Sequence, residues 1–141
     1  MVADRLETTD EMVAHIRGLP LQEPLLFFAD MRNVWTVDAC LRRALEALLD
    51  AGRHILARGF GKAAGEYKEI ATALGTLGVL SATDAERLRV LAGYRNRLVH
   101  FYHEIEDAEL FEVASRHLDD VEIVRRAFSD WLSANPAMLR D

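Results

Sequence analysis

The sequence predicts an all-α protein, an antiparallel bundle of four to five helices formed by one domain over residues 1–141. Three observations predict this class. Apolar residues recur at helical spacing through several long stretches, the connections between these stretches are short, and no stretch alternates between polar and apolar residues as a strand does. With 141 residues, 50% of them hydrophobic and 28% charged, the chain can form one packed core but not two.

The longest predicted helix carries one continuous apolar stripe. Its members follow one another three or four residues apart, and they are Leu41, Leu45, Leu48, Ala51 and Ile55. Trp35 and Asp38 lie on the same line one turn earlier, and the apolar segment 25–31 is predicted to be the buried first part of this helix. Gly59 and Gly61 are predicted to end it, because glycine readily adopts the left-handed conformation that closes many helices.

Three further helices are predicted after the long one. The first covers about residues 65–77 and is ended by a glycine. The second begins at residues 83–86, whose Thr-Asp-Ala-Glu sequence is a capping box, and runs to about His103. The third begins at Asp107 as its N-cap and is closed by the Asn-Pro pair at 135–136.

The composition excludes several classes of protein. Cys40 is the only cysteine, so neither a disulfide framework nor a cysteine-rich metal site can form within one chain. The first residues lack the cationic start and apolar run of a secretory signal, and no apolar stretch approaches the roughly 20 residues of a membrane span. We therefore expect a soluble, cytoplasmic protein without a membrane partner.

The charge is unevenly distributed along the chain. The net charge is −6, yet residues 32–100 contain 11 basic and 7 acidic residues, whereas the remainder contains 6 basic and 16 acidic ones. The acidic excess therefore lies near the N-terminus and after residue 100. This distribution is compatible with a transient RNA substrate, but not with tight nonspecific binding of nucleic acid.

The most informative motif lies near the end of the second of these helices. Arg95 precedes His100 by five residues, and Tyr102 follows two residues later. An arginine holds a phosphate through a planar fork of donors, and a histidine transfers protons near neutral pH. Asn96 lies one turn before His100 and could orient the imidazole or the phosphate. The motif indicates phosphodiester chemistry without a metal, with Arg95, Asn96 and His100 as candidate catalytic residues.

Helix geometry separates the two principal candidates. Five residues correspond to about 500° of rotation and roughly 7.5 Å of rise, so Arg95 and His100 should point about 140° apart. One chain alone would then be a poor active site. Two copies of this helix packed about a twofold axis would gather two arginines and two histidines in one cleft, which predicts a homodimer.

These residues also have structural interpretations. Arg95 could pair with a glutamate, and His100 could complement the helix dipole in the last turn. Tyr102, seven residues after Arg95 and on nearly the same helical face, could be a core or interface residue. His100 and His103 form an HxxH pair, but it lacks a third well-spaced ligand, so no metal site and no cofactor is predicted.

Other polar and aromatic residues are assigned to structure rather than to chemistry. Asp38 and His54 on the long helix are predicted to be buried polar groups bonded to neighbours. Trp35, Phe27 and Phe28 are predicted to belong to the core or to a dimer interface rather than to a base-stacking platform.

The order of these parts resembles the HEPN superfamily, and within it the HepT-like toxins that are encoded beside minimal nucleotidyltransferases. The octapeptide 95–102, Arg-Asn-Arg-Leu-Val-His-Phe-Tyr, matches that family's Arg-x4-His-x-Tyr motif. Supporting similarities over residues 25–132 are Val37-Asp38, Asp50, His54, Tyr67-Lys68-Glu69 and Leu77-Gly78-Val79-Leu80. The segment 61–66 departs from the pattern, because it lacks the proline expected before the next helix.

The resemblance implies a metal-independent endoribonuclease toxin that acts as a homodimer on RNA, with tRNA and mRNA both open as targets. It also implies a nucleotidyltransferase antitoxin that silences the enzyme by attaching AMP to Tyr102. The alternative is a non-catalytic HEPN module that docks on a nucleotidyltransferase or binds a nucleotide. The intact pair of Arg95 and His100 favours the nuclease, because a docking module has no need of it.

Overall fold

A computed structural model describes residues 2–100 and 102–139, and the side chains of residues 102, 138 and 139 lie outside this description. The described residues form seven α-helices, namely α1 (Val2–Arg17), α2 (Pro24–Phe28), α3 (Met31–Phe60), α4 (Tyr67–Thr76), α5 (Ala82–His100), α6 (Asp107–Arg116) and α7 (Leu118–Ala134). Two 3-10 turns, Tyr102–Glu104 and Pro136–Leu139, follow α5 and α7. These residues contain no strand, and the predicted all-α class is confirmed.

α3 is the central helix of the bundle. Each of the other six α-helices contacts it, so α3 buries side chains around most of its circumference. The predicted stripe from Leu41 to Ile55 is buried along its whole length. At Gly52 the packing is so close that an added Cβ would lie 2.9 Å from Leu74 Cδ1 and 3.3 Å from Phe128 Cζ. α4 and α7 therefore pack against α3 where it has no side chain.

None of the described helices is long and apolar enough to cross a membrane.

The start of α3 differs from the prediction. Segment 25–31 is not the buried first part of the long helix, because Pro24–Phe28 forms the separate helix α2 and Leu25 is 91% exposed. Asp30 is the N-cap of α3, and its side chain accepts a hydrogen bond from the Arg32 backbone N–H at 3.0 Å. The side chain of Asn33 also donates to the Phe27 carbonyl at 2.9 Å, which fixes the bend between the two helices.

Glycines close both α3 and α4. α3 ends at Phe60, and its C-cap Gly61 has the left-handed φ of 59°, as the sequence predicts. Its backbone N–H donates to the Ala57 carbonyl at 3.1 Å. The predicted helix over 65–77 is α4, which begins two residues later, at Tyr67, and is followed by Gly78 with a φ of 79°.

The ends of α5 lie a few residues from their predicted positions. The cap is Ser81 rather than Thr83, because α5 begins at Ala82 and the Ser81 hydroxyl accepts a hydrogen bond from the Asp84 N–H at 3.1 Å. Asp84 then pairs with Arg87 at 2.7 Å instead of forming part of a capping box with Glu86. α5 ends at His100 rather than near His103, and the chain continues from Tyr102 as a 3-10 turn.

The predicted last helix is divided in two. α6 and α7 are separated at His117, whose φ of −115° and ψ of 1° interrupt the helix. The apolar line continues across this break, so the periodicity alone could not reveal it. At the start of α6 the N-cap position is Glu106, and Asp107 is the first helical residue rather than the cap. The predicted end is confirmed, with Asn135 as the C-cap of α7.

The N-terminal helix α1 was not among the predicted elements. It buries Leu6, Val13 and Ile16 against the rest of the bundle, and the hydroxyl of buried Thr9 donates to the Ala44 carbonyl of α3 at 3.5 Å. Ion pairs join its outer side to α7, among them Asp10 with Arg125 at 3.0 Å. The spacing of its apolar residues is helical, so the signal for this helix is present in the sequence.

Candidate active site

Arg95, Asn96 and His100 line one cleft at the end of the bundle where α5 finishes. Its wall is completed by Arg53, near the C-terminal end of α3, and by the segment that leads into α4, and its volume is about 450 Å³. The full set of lining residues is Arg53, Gly65, Glu66, Tyr67, Lys68, Arg95, Asn96 and His100. The structure therefore brings all three predicted catalytic residues together and adds two further cationic side chains, those of Arg53 and Lys68.

The cleft changes the conclusion drawn from the helical wheel. The wheel places Arg95 and His100 about 140° apart and makes a single chain a poor site. Both side chains nevertheless line the same cleft of one chain. The wheel describes only the direction of each Cα–Cβ bond, whereas an arginine side chain is long enough to reach around the helix.

The Arg95 side chain is held between a carboxylate and an aromatic ring. Its Nε lies 3.4 Å from Glu46 Oε1 of α3, and its Cζ lies 4.6 Å from the centroid of the Tyr67 ring. Its Nη1 donates to Asn96 Oδ1 at 3.4 Å. The side chain is 20% exposed, and its buried Nε has no well-aligned hydrogen bond within the described part of the chain. Arg95 thus pairs with a glutamate, as its structural interpretation foresaw, and still lines the open cleft.

Tyr67 links Arg95 to a second arginine. Arg53 Cζ lies 5.1 Å from the same ring, and Arg53 Nη1 pairs with Asp50 Oδ1 at 3.0 Å. The Tyr67 hydroxyl donates to that Asp50 oxygen at 3.2 Å. Burial, and then the charge of Asp50, raise the pKa of Tyr67 above its usual value, so the hydroxyl stays protonated and remains a donor at neutral pH.

The entry to α4 is fixed by the same arginine. Arg53 Nη2 donates to the Gly65 carbonyl at 3.2 Å, and its Nε donates to the Ala64 carbonyl at 3.4 Å. These bonds bring the segment that lacks the expected proline against α3, and they set Tyr67 and Lys68 at the edge of the cleft. Sequence reasoning missed Arg53, although its position three residues after Asp50 on one helix indicates an ion pair. It also missed Glu46, for which the sequence carries no local signal.

His100 and Tyr102 lie where the chain leaves the helix. His100 is the last residue of α5, and its side chain is exposed at the cleft. Tyr102 begins the 3-10 turn, so the seven-residue helical relation to Arg95 does not hold, because α5 has already ended. The side chain of Tyr102 is outside the described part of the structure.

The remaining polar candidates lie away from the cleft. Asp38 is exposed rather than buried, which corrects the prediction for that residue. His54 is half-buried, and its buried Nε2 has no hydrogen-bond partner in the residues that the structure describes, so the predicted bonding to a neighbour is wrong for this atom. His103 is exposed and does not line the cleft. Among the described residues no group of three histidine, cysteine or acidic side chains could hold a metal ion.

The aromatic candidates divide between core and surface. Phe27 is fully buried, and its ring meets those of Phe28 and Phe111 at centroid distances of 5.1 and 4.8 Å. Phe28 is 39% exposed and Trp35 is 63% exposed. Phe27 therefore belongs to the core, as one of the predicted alternatives states, whereas Trp35 is a surface residue of this chain.

The sequence profile of the HepT-like family, described as Ribonuclease HepT-like, matches residues 10–128. This match covers most of the chain, and the chain therefore belongs to the HepT-like family. A comparison with curated proteins found no significant match.

Solved structures share the fold. A tri-AMPylated HEPN toxin of Shewanella oneidensis, in complex with an MNT antitoxin, superposes with a TM-score of 0.81 at 21% identity, over 92% of this chain and 96% of that one. The structure of a toxin–antitoxin with AMP-PNP gives 0.77 at 20% identity over 90% and 96%. YutE of Bacillus subtilis, a cytosolic protein of unknown function, gives 0.75 at 18% identity over 95% and 90%.

Proposed function

We propose that this protein is a metal-independent endoribonuclease toxin that acts in the cytoplasm. The observation that carries the proposal is the cleft in which Arg95, Asn96 and His100 meet, with the cationic side chains of Arg53 and Lys68 beside them. Such a set can hold a phosphodiester and move a proton without a metal ion. Membership of the HepT-like family supports the assignment.

The proposed reaction is transesterification by the neighbouring 2′-hydroxyl of RNA. A base removes the proton of that hydroxyl, the 2′-oxygen attacks phosphorus, and the bond from phosphorus to the 5′-oxygen breaks. An acid gives a proton to the departing 5′-oxygen, which leaves a 2′,3′-cyclic phosphate and a 5′-hydroxyl. His100 serves the proton transfers, Arg95 stabilises the charge on the phosphorane, and Asn96 orients the guanidinium to which it is bonded.

A homodimer completes this scheme, because one imidazole cannot be base and acid in the same step. The second proton transfer is assigned to His100 of a second copy. Support comes from exposed apolar side chains on α2 and at the start of α3. Trp35 is 63% exposed and lines one groove with Leu98 of α5, and Leu25 and Leu26 of α2 are 91% and 54% exposed. Apolar patches of this kind mark interfaces between proteins.

The proposed partner is a nucleotidyltransferase antitoxin that attaches AMP to Tyr102. The proposal is supported by the fold shared with an AMPylated HEPN toxin bound to an MNT antitoxin and by the place of Tyr102 two residues beyond His100. A bulky AMP group there would bring a phosphate close to the cleft. Its charge would compete with the substrate for Arg95, and its bulk would obstruct His100.

Cleavage of RNA in EDTA tests the chemistry. The purified chain should leave 2′,3′-cyclic phosphate ends, and Arg95→Ala and His100→Ala should each lose about 10²–10⁴-fold in rate. Matched controls are His15→Ala on α1 and Arg42→Ala on α3, both exposed and neither lining the cleft. A requirement for Mg²⁺, or activity that survives both substitutions at the cleft, would refute the assignment.

Mixing the original chain with an inactive variant tests the shared site. If each reaction needs His100 of both copies, an excess of the His100→Ala chain should lower the activity per original chain, because a mixed dimer contains only one imidazole. Light scattering should give a dimer at micromolar concentration, whose interface should bury at least roughly 1,000 Å². A monodisperse, active monomer would remove the second copy from the mechanism.

Growth of cells tests the biological role. Expression of the chain alone should arrest growth, the His100→Ala variant should not, and a co-expressed nucleotidyltransferase should restore growth. If the original chain and the His100→Ala variant affect growth equally, the docking module is favoured instead.

A further inference from the structure

Two further grooves adjoin the cleft. One has a volume of about 380 Å³ and lies on the outer side of α4, where Lys62, Thr72 and Arg89 line it. The other has a volume of about 470 Å³ and lies on α5, where Val90, Tyr94 and Arg97 line it. Lys68 lines all three depressions, so they adjoin one another at this side chain.

The lining of these depressions is strongly cationic. The basic side chains are Arg53, Lys62, Lys68, Arg89, Arg95 and Arg97, with His100 at one end, and the acidic ones are Glu66 and Glu69. The whole chain has a net charge of −6, whereas the residues that line these depressions include six arginine or lysine side chains and two carboxylates. A cluster of basic side chains on an acidic protein attracts an anionic ligand locally while the rest of the surface repels it.

Two of these cations have no ion-pair partner among the described residues. Arg53 pairs with Asp50 at 3.0 Å, Arg95 with Glu46 at 3.4 Å and Arg97 with Glu109 at 2.5 Å. Arg89 lies 4.0 Å from Glu86. By contrast, Lys62 and Lys68 are both exposed, and neither has an ion-pair partner in the described residues. They are also the only lysines among the 17 basic residues of the chain.

The position of Lys68 suits a ligand that runs along the surface. An added Cβ at Gly93 would lie 3.8 Å from Lys68 Cε, so the lysine stem lies against α5 where the helix has no side chain. Lysine presents a compact charge on a flexible stem, which can follow a series of phosphates without the fixed geometry of an arginine fork. Val90, which is 52% exposed, and Tyr94 add apolar surface beside it for the bases.

We propose that the cleft and the two grooves form one binding track for the RNA strand, with Lys68 and Lys62 holding phosphates that flank the one that is cleaved. This inference rests on the proposed function, because it assigns the binding surface of the same nuclease. The track determines how strongly the strand binds and where it leaves the site, whereas Arg95 and His100 determine the rate of cleavage.

The test measures RNA binding separately from cleavage. The full-length His100→Ala protein is titrated against a short, fluorescently labelled single-stranded RNA of mixed sequence, with anisotropy read at several salt concentrations. Adding Lys62→Ala and Lys68→Ala should weaken binding at low salt about tenfold. The slope of the logarithm of affinity against the logarithm of salt should fall by about 1.4, since each phosphate contact on a single strand contributes about 0.7.

The control removes the same amount of charge elsewhere. Arg5→Ala with Arg126→Ala takes two exposed cations from α1 and α7, and Arg126 lies in a groove lined by acidic residues. This pair should leave both the affinity and the slope unchanged. When the same two lysines are replaced in the chain that keeps His100, KM should rise about tenfold and kcat should change much less.

The outcomes separate the two proposals. If the lysine variant binds RNA with unchanged affinity and slope while the original chain cleaves RNA, the track is wrong and the nuclease stands. If the lysine variant loses binding as described but the original chain cleaves no RNA, the track stands and the proposed nuclease fails. If both double variants weaken binding equally, the attraction is a general charge effect and the track is wrong.

Discussion

Replacing Tyr67 should alter catalysis without touching a proposed catalytic group. Tyr67→Leu removes the ring over which Arg95 lies at 4.6 Å, and Tyr67→Phe keeps that ring and removes only the hydroxyl bonded to Asp50 at 3.2 Å. The two variants therefore separate the contact that holds Arg95 from the hydrogen bond that holds the tyrosine.

The expected magnitudes follow from these contacts. A half-buried cation–π contact is worth about 1 kcal/mol, so Arg95 in the Leu variant should occupy its position about fivefold less often. We expect kcat to fall by about that factor. In the Phe variant Asp50 keeps its ion pair with Arg53 at 3.0 Å, so kcat should stay close to that of the original chain, and the free energy of unfolding should fall by about 1 kcal/mol.

The assay combines cleavage kinetics in EDTA with urea unfolding of each variant. If Tyr67 positions Arg95, the Tyr67→Phe variant should retain the rate that the Tyr67→Leu variant loses, and KM should change less than kcat. The loss in free energy of unfolding should not be proportional to the loss of rate. If Leu retains the full rate, the ring does not position Arg95. If Phe and Leu lose rate equally, the hydroxyl rather than the ring is the functional group.

Three further predictions concern packing and control. Gly52→Ala should destabilise the fold by up to about 2 kcal/mol in urea unfolding, because the clash of a Cβ 2.9 Å from Leu74 Cδ1 outweighs the gain in helix propensity. Gly93→Ala should stabilise the fold by up to about 1 kcal/mol, because its Cβ would make only an ordinary contact, 3.8 Å from Lys68 Cε. Equal effects of the two substitutions would contradict this reasoning. Phe27→Ala should cost about 3–5 kcal/mol, since this ring is fully buried, and a loss below about 1 kcal/mol would place it outside the core. Tyr102→Phe should remain toxic and escape AMP transfer by the partner in mass spectrometry; silencing as ready as in the original would show that Tyr102 is not the switch.

Most of the helical architecture could be predicted from the sequence, because a helix is specified by residues close to one another in the chain. The stripe from Leu41 to Ile55 predicts a long buried helix, and the glycine at position 61 predicts where it ends. Errors arose where several local signals compete. Ser81 and Thr83 are both capable caps, and the apolar line that crosses His117 continues through a break in the backbone.

The candidate residues of the site could also be selected from the sequence, because Arg95, Asn96 and His100 are neighbours on one helix and their functional groups are evident from their residue types. Their surroundings were decided only by the tertiary structure. Glu46 precedes Arg95 by 49 positions and meets it because α5 packs on α3. Such contacts depend on how helices rotate and cross, which no local spacing encodes. For the same reason, only the packed bundle shows that one chain brings Arg95 and His100 to a common cleft and that two further grooves adjoin this cleft at Lys68.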